Sequence, residues 1–175
     1  MIREGTRILG IDPGSRRTGW GLIDTVDDRH RLVDHGVIQT MAPGADPGFP
    51  ARLGVIFSAL CRLVEQYAPQ QVAVEQVFMS RNADAALKLG QARGAAVCAA
   101  VHHGLPVHEY APRQVKQALV GRGGAEKQQV QHMVRMVLSL GDTPAEDAAD
   151  ALAVAICHAH HLRTHLLMRQ QGRAF

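Results

Sequence analysis

The stretch RILGIDPGSRRTGWGLIDTVDDRHRLVDHGVIQT, residues 7–40, decides the fold. Its opening segment, residues 7–12, is a short apolar run stopped by Pro13 and Gly14, and reads as a buried strand. Residues 18–26 and 31–40 flank a polar turn at 27–30, so they read as a hairpin. Three strands in a row therefore open the chain. Gly19 and Gly21 let the second of them pass close to a neighbouring backbone or a ligand.

Working outward, residues 42–50 (APGADPGFP) form a surface loop before a helix. Residues 49–67 carry Leu53, Ile56, Phe57, Leu60, Leu63 and Val64 at helical spacing. Strand-like runs at 71–76 and 106–110 alternate with helices expected at 82–103, 113–120, 126–140 and 144–167. For the last helix, Thr143 fits the N-cap, Pro144 the first helical position and Glu146 the reciprocal capping acid. The opening meander should be antiparallel, and the strands joined by helices parallel. The expectation is an α/β fold, a five-stranded mixed sheet flanked by helices in ribonuclease-H-like order. It forms a single domain over residues 1–175, with flexible ends at 1–5 and about 165–175.

With 46% apolar and 20% charged residues, the 175-residue chain has the balance of a globular domain, which excludes extended disorder. The net charge of +3 does no more than leave an anionic partner unrepelled, and the basic residues form no run. There is no secretory leader and no apolar run long enough for a membrane span, so the expected location is cytoplasmic, with no membrane partner. Cys61, Cys98 and Cys157 are an odd number without metal spacing and sit among apolar residues, which predicts buried reduced thiols.

Acids at awkward places carry the chemistry. Asp12 ends the first strand; taken alone it also serves as the start of an Asp-Pro-Gly turn. Glu75 interrupts the apolar strand VAVEQV, where a carboxylate is costly unless partnered. Asp147 and Asp150 lie three residues apart, on one helical face, among alanines that permit close packing. Either acid alone reads as a surface residue favoured by the helix dipole, and the pair less so. Four such carboxylates brought together would repel one another and need a neutralising partner. Hard divalent cations fit: two about 4 Å apart can activate a water and stabilise a leaving oxygen.

Four blocks then resemble one family: GIDPGSRRTGWG, VEQVFMSRNADAALKLGQARG, EYAPRQVKQALVGRGGAEKQQVQHMV and DAADALAVAICH. In order and content they are similar to the bacterial RuvC resolvases. The resemblance implies an endodeoxyribonuclease that resolves Holliday junctions by paired, symmetric nicking in DNA recombination and repair. It implies magnesium, replaceable by manganese, with two ions per site on Asp12, Glu75, Asp147 and Asp150. It also implies a homodimer acting on four-way junction DNA with the RuvA and RuvB branch-migration proteins. Phe78 acquires a base-stacking role, although as a bare residue it reads as a core aromatic. Lys116 and Lys127 match basic positions near the scissile phosphate, where solvated lysines are the plain alternative. Arg81, Arg93, Arg113 and Arg122 become phosphate contacts. Gly121, Gly123 and Gly124 would admit DNA to backbone amides or form a turn only. The alternatives are another ribonuclease-H-like nuclease that processes RNA and, from GIDPGSRRTG, an actin-like nucleotide-binding protein. His158, His160, His161 and His165 lack a metal motif and read as a solvated helix end.

Overall fold

A computed structural model describes residues 5–26, 29–42, 44–76 and 82–171. The opening residues pair as β1 (Thr6–Asp12), β2 (Arg17–Val26) and β3 (Arg29–Gln39), an antiparallel meander. After α1 (Phe49–Tyr67), β4 (Gln71–Glu75) joins β1 in parallel. After α2 (Ala83–His102), β5 (Val107–Tyr110) joins β4, also in parallel. The sheet order is β3-β2-β1-β4-β5. Three helices complete the chain: α3 (Pro112–Val120), α4 (Lys127–Val137) and α5 (Glu146–Gln171). This is the ribonuclease-H-like mixed sheet expected from the element order.

Strand periodicity divides the core into two layers. Leu9, Ile11, Leu22, Val72 and Val74 pack with Ile56, Leu60, Ala92 and Ala96 of α1 and α2. Ile8, Ile23, Ala73 and Tyr110 face the other way, onto α3, α4 and α5 through Val115, Val130, Leu152 and Ile156. The parity has a direct consequence for the acids. Asp12 follows Ile8 and Gly10 on the α5 side of β1, and Glu75 follows Ala73 on the α5 side of β4.

Glycines bring α5 close to that face. A β-carbon on Gly10 would lie 2.1 Å from the Ala151 carbonyl oxygen, and one on Gly19 only 1.9 Å from that of Asp147. The neighbour that the Gly19 and Gly21 pattern anticipated is thus the last helix, with its alanines 148, 149, 151, 153 and 155 all buried.

Three expectations need correction. First, α5 begins at Glu146, and the Ala145 carbonyl accepts its first bond, from Ala149 N–H at 2.8 Å. Thr143 and Pro144 therefore stand outside the helix, and Glu146 is not a capping acid but an ion-pair partner of Lys127 at 2.5 Å. Second, only Cys157 is a buried thiol, because Cys98 lies on an outward face of α2 and Cys61 is half-buried. Third, His158 is 2% exposed, not part of a solvated end. The expected flexible ends fall partly outside the described residues; within them α5 continues to Gln171.

Candidate active site

Asp12 and Glu75 terminate two neighbouring parallel strands, paired through Ile11 and Val74, so both carboxyls reach the same rim of the sheet. Above that rim the first two turns of α5 bring Asp147 and Asp150, pressed down by the contact with Gly19. The electrostatics show the four as one group. Burial, then the negative charges of Glu75, Asp150 and Asp147, push the Asp12 carboxyl up to about 8. Near neutral pH it is a protonated acid, hydrogen-bonded to Glu75. Burial and Asp150 likewise hold Glu75 above the usual carboxylate range, although Asp12, Lys127 and Lys116 pull it down. Burial also leaves Asp150 raised despite its bond to Lys127.

Among the described residues, two cations meet the acids directly. Lys127, at the start of α4, reaches Asp150 Oδ2 at 2.8 Å and Glu146 Oε1 at 2.5 Å. Burial works against its charge, but those two hydrogen bonds together with the negative charges of Asp150 and Glu146 outweigh burial and leave its pKa raised. Arg17, at the start of β2, holds Asp147 Oδ2 at 2.7 Å through Nε. A cavity of about 150 Å³ opens beside this group, lined by Glu75, Lys116, Lys127, Asp150, Pro112 and Val130. The larger hollow of about 690 Å³ between α3 and α5 has no carboxylate among the described residues that line it.

The donor set fits a hard cation: carboxylate oxygens only, crowded enough that Asp12 holds its proton. Among the described residues, however, no three acid, histidine or cysteine side chains are arranged as a ready ligand set. Lys127 and Arg17 each engage one oxygen of Asp150 and Asp147, so an ion taken up there would share those carboxylates with them.

Of the residues singled out in the sequence, the structure thus gathers Asp12, Glu75, Asp147, Asp150, Lys116 and Lys127. Arg93 is turned to Glu109 of β5 in an ion pair and is 25% exposed. Arg113 and Arg122 are exposed, and the Arg113 side chain lies over Gly123, where an added β-carbon would sit 2.4 Å from its Cγ. Gly123 therefore accommodates Arg113, and Gly121 is the left-handed cap of α3. Phe78 and Arg81 lie outside the described residues.

Arg17 and Glu146 were missed as neighbours of the acids. A signal for Arg17 exists: it shares strand parity with Gly19 and Gly21, the face that α5 covers. Nothing in the local sequence signals the meeting of Glu146 with Lys127, which depends on how α4 docks.

Comparison with known proteins adds the lineage. Residues 8–158 match the family model described as crossover junction endodeoxyribonuclease RuvC. A protein of that name from Methylococcus capsulatus is 58% identical over 159 residues, 91% of this chain and 93% of its own length. The Thermus thermophilus RuvC structure superposes with a TM-score of 0.81 at 36% identity, covering 91% of this chain and 97% of the other. The same protein in complex with a Holliday junction substrate gives 0.83 at 37% identity, with 91% and 96% coverage.

Proposed function

This chain belongs to the RuvC family of crossover junction endodeoxyribonucleases and is a Holliday junction resolvase; on that premise we propose how its own residues carry out the cut. The RNA-processing and actin-like alternatives are set aside by the family match over residues 8–158. Nucleases of this family are metal-dependent, and the oxygen-only donor set favours magnesium, with manganese as substitute, at two ions per site. In this reading Asp12, Glu75, Asp147 and Asp150 hold the ions. Bound there, the metal would polarise the scissile phosphate, lower the pKa of an attacking water and stabilise the leaving 3′ oxygen.

The chain's own contribution is placement and charge. Asp12 must give up its proton for the site to load. Lys116 and Lys127, whose charges Glu75 already feels, supply positive potential where a phosphate would lie. Arg113 and Arg122 extend it as backbone contacts, and Arg81 and Phe78 keep the roles the resemblance gives them, phosphate contact and base stacking. Arg93 serves less directly, since Glu109 holds it. The reading is carried by one observation: Asp12 feels the charges of Glu75, Asp150 and Asp147 together.

The partners follow the same reading: four-way junction DNA, a second copy of this chain, and the RuvA and RuvB branch-migration proteins. A stripe on α2 that no described residue covers favours the homodimer. Leu87 is 67% and Val101 60% exposed, Cys98 is exposed, and among the described residues β-carbons added at Gly90 and Gly94 would meet nothing within 4 Å. Among the described residues no helix is long and apolar enough to cross a membrane, and we place the protein in the cytoplasm as one domain.

A synthetic mobile four-way junction tests the reading. Paired, symmetric nicks should appear with magnesium and not with calcium or EDTA, and Asp12→Asn should bind the junction without cutting it. Loss of junction binding in a folded Asp12→Asn protein would assign Asp12 to affinity and sink its catalytic role.

A further inference from the structure

Lys127 divides its ammonium between two acids of α5 that differ in setting. Asp150 Oδ2, at 2.8 Å, belongs to a side chain 24% exposed and electrostatically joined to Glu75 and Asp12. Glu146 Oε1, at 2.5 Å, belongs to one 64% exposed. An oxygen lone pair engaged by an ammonium is not free for a metal ion, so Lys127 competes for Asp150 with any divalent cation that needs it. Glu146 changes the terms of that competition, because it offers the ammonium a second carboxylate on the solvent side. Lys127 can then leave Asp150 without losing a charged partner.

We propose that Glu146 is a positioning residue for Lys127: it draws the ammonium outward and so sets how readily Asp150 is released to a divalent cation. The inference rests on the reading of Asp150 as a metal ligand. Without the Glu146 charge, Asp150 is the ammonium's remaining carboxylate ion-pair partner among the described residues, and the ion has to compete with it there. Glu146 opens α5 on the surface, so replacing it leaves the core packing untouched.

The test is Mn²⁺ uptake by the full-length, DNA-free protein, followed by calorimetry or by the spin resonance of the free ion, with no cleavage step involved. Glu146→Gln should weaken uptake by roughly 2- to 5-fold, the scale of one solvent-exposed ion pair. Lys127→Met should tighten it. In the Lys127→Met background, Glu146→Gln should change nothing. An equal weakening in both backgrounds would mean that Glu146 acts on the ion by its own charge, and would overturn the proposal. So would a Glu146→Gln protein with wild-type uptake. A wild-type protein that takes up no Mn²⁺, or an Asp150→Asn protein that takes it up undiminished, would count instead against the metal-site reading beneath it.

Discussion

Gly19 supports Asp147 from below: a β-carbon at residue 19 would stand 1.9 Å from the Asp147 carbonyl oxygen and 3.1 Å from its Cβ. The separation between sheet and helix that places two of the four acids is therefore fixed by a missing side chain. Gly19→Ala should push α5 off β2 at a cost of about 3 kcal/mol, the upper end for overpacking, because the obstacle is backbone. Junction cleavage should fall further than stability accounts for. Gly54→Ala is the control: it lies within α1 with nothing inside 4 Å, and should gain up to ~1 kcal/mol of helix propensity. A Gly19→Ala protein that melts and cuts like wild type would refute the close approach.

The Asp12 proton gives a pH signature. In the folded, metal-free protein Asp12 stays protonated up to about 8, whereas the unfolded chain releases that proton near its ordinary value. Between those values the folded state binds the extra proton, so the Asp12 contribution to stability falls as pH rises across that window. Asp12→Asn should be more stable than wild type at pH 8, and the difference should vanish near pH 4. Chemical denaturation at several pH values measures it. Metal uptake at pH 7 should also release a proton, seen by calorimetry in buffers of different ionisation enthalpy; a pH-independent gap between the two proteins would refute this.

His158 predicts the opposite slope in an overlapping window. Its Nδ1 pairs with the Tyr110 hydroxyl at 2.7 Å and its Nε2 with Gln71 Oε1 at 2.5 Å. Since Gln71 Oε1 only accepts, Nε2 carries the proton and Nδ1 accepts from Tyr110. Burial, with His108 and His161 nearby, pushes its pKa down to about 4. As pH falls below the ordinary histidine value the unfolded chain takes up the proton first. Stability should therefore drop between about pH 6.5 and about 4, by on the order of 3 kcal/mol. In His158→Phe that slope should shrink to the smaller part that the lowered His108 contributes, while neutral-pH stability falls by ~1–3 kcal/mol because Tyr110 and Gln71 lose their partner. An acid limb equally steep in the variant would locate the titrating group elsewhere.

The α2 stripe is testable by mass. Leu87→Glu with Val101→Glu should convert a dimer into a folded monomer, read by analytical ultracentrifugation, without lowering the melting temperature as a core substitution would. A double variant that remains dimeric would place the self-association surface elsewhere.

The strands and helices were legible because their signals are local. The hairpin at residues 18–40, the helix at 49–67 and the strand around Glu75 all lie where apolar period and turn residues place them. The acids were legible because a carboxylate at the end of an apolar strand is costly enough to need a reason. What stayed hidden depends on tertiary docking. Glu146 reads as a capping acid until α4 brings Lys127 to it. Arg93 looks like a free cation until β5 presents Glu109. His158 reads as one of a run of surface histidines, and only the meeting of α5 with Gln71 and Tyr110 turns it into an interior hydrogen-bonded group.

The glycines at residues 10, 19 and 21 also constrain how this protein can diversify. Each meets α5 at less than 3 Å from where a β-carbon would be, so the sheet surface under the acids has no room for new side chains. Side-chain changes that alter the surface around the acids then have to fall elsewhere, in connecting segments and on the outer faces of helices. The cutting centre would be inherited as a fixed part while its surroundings drift.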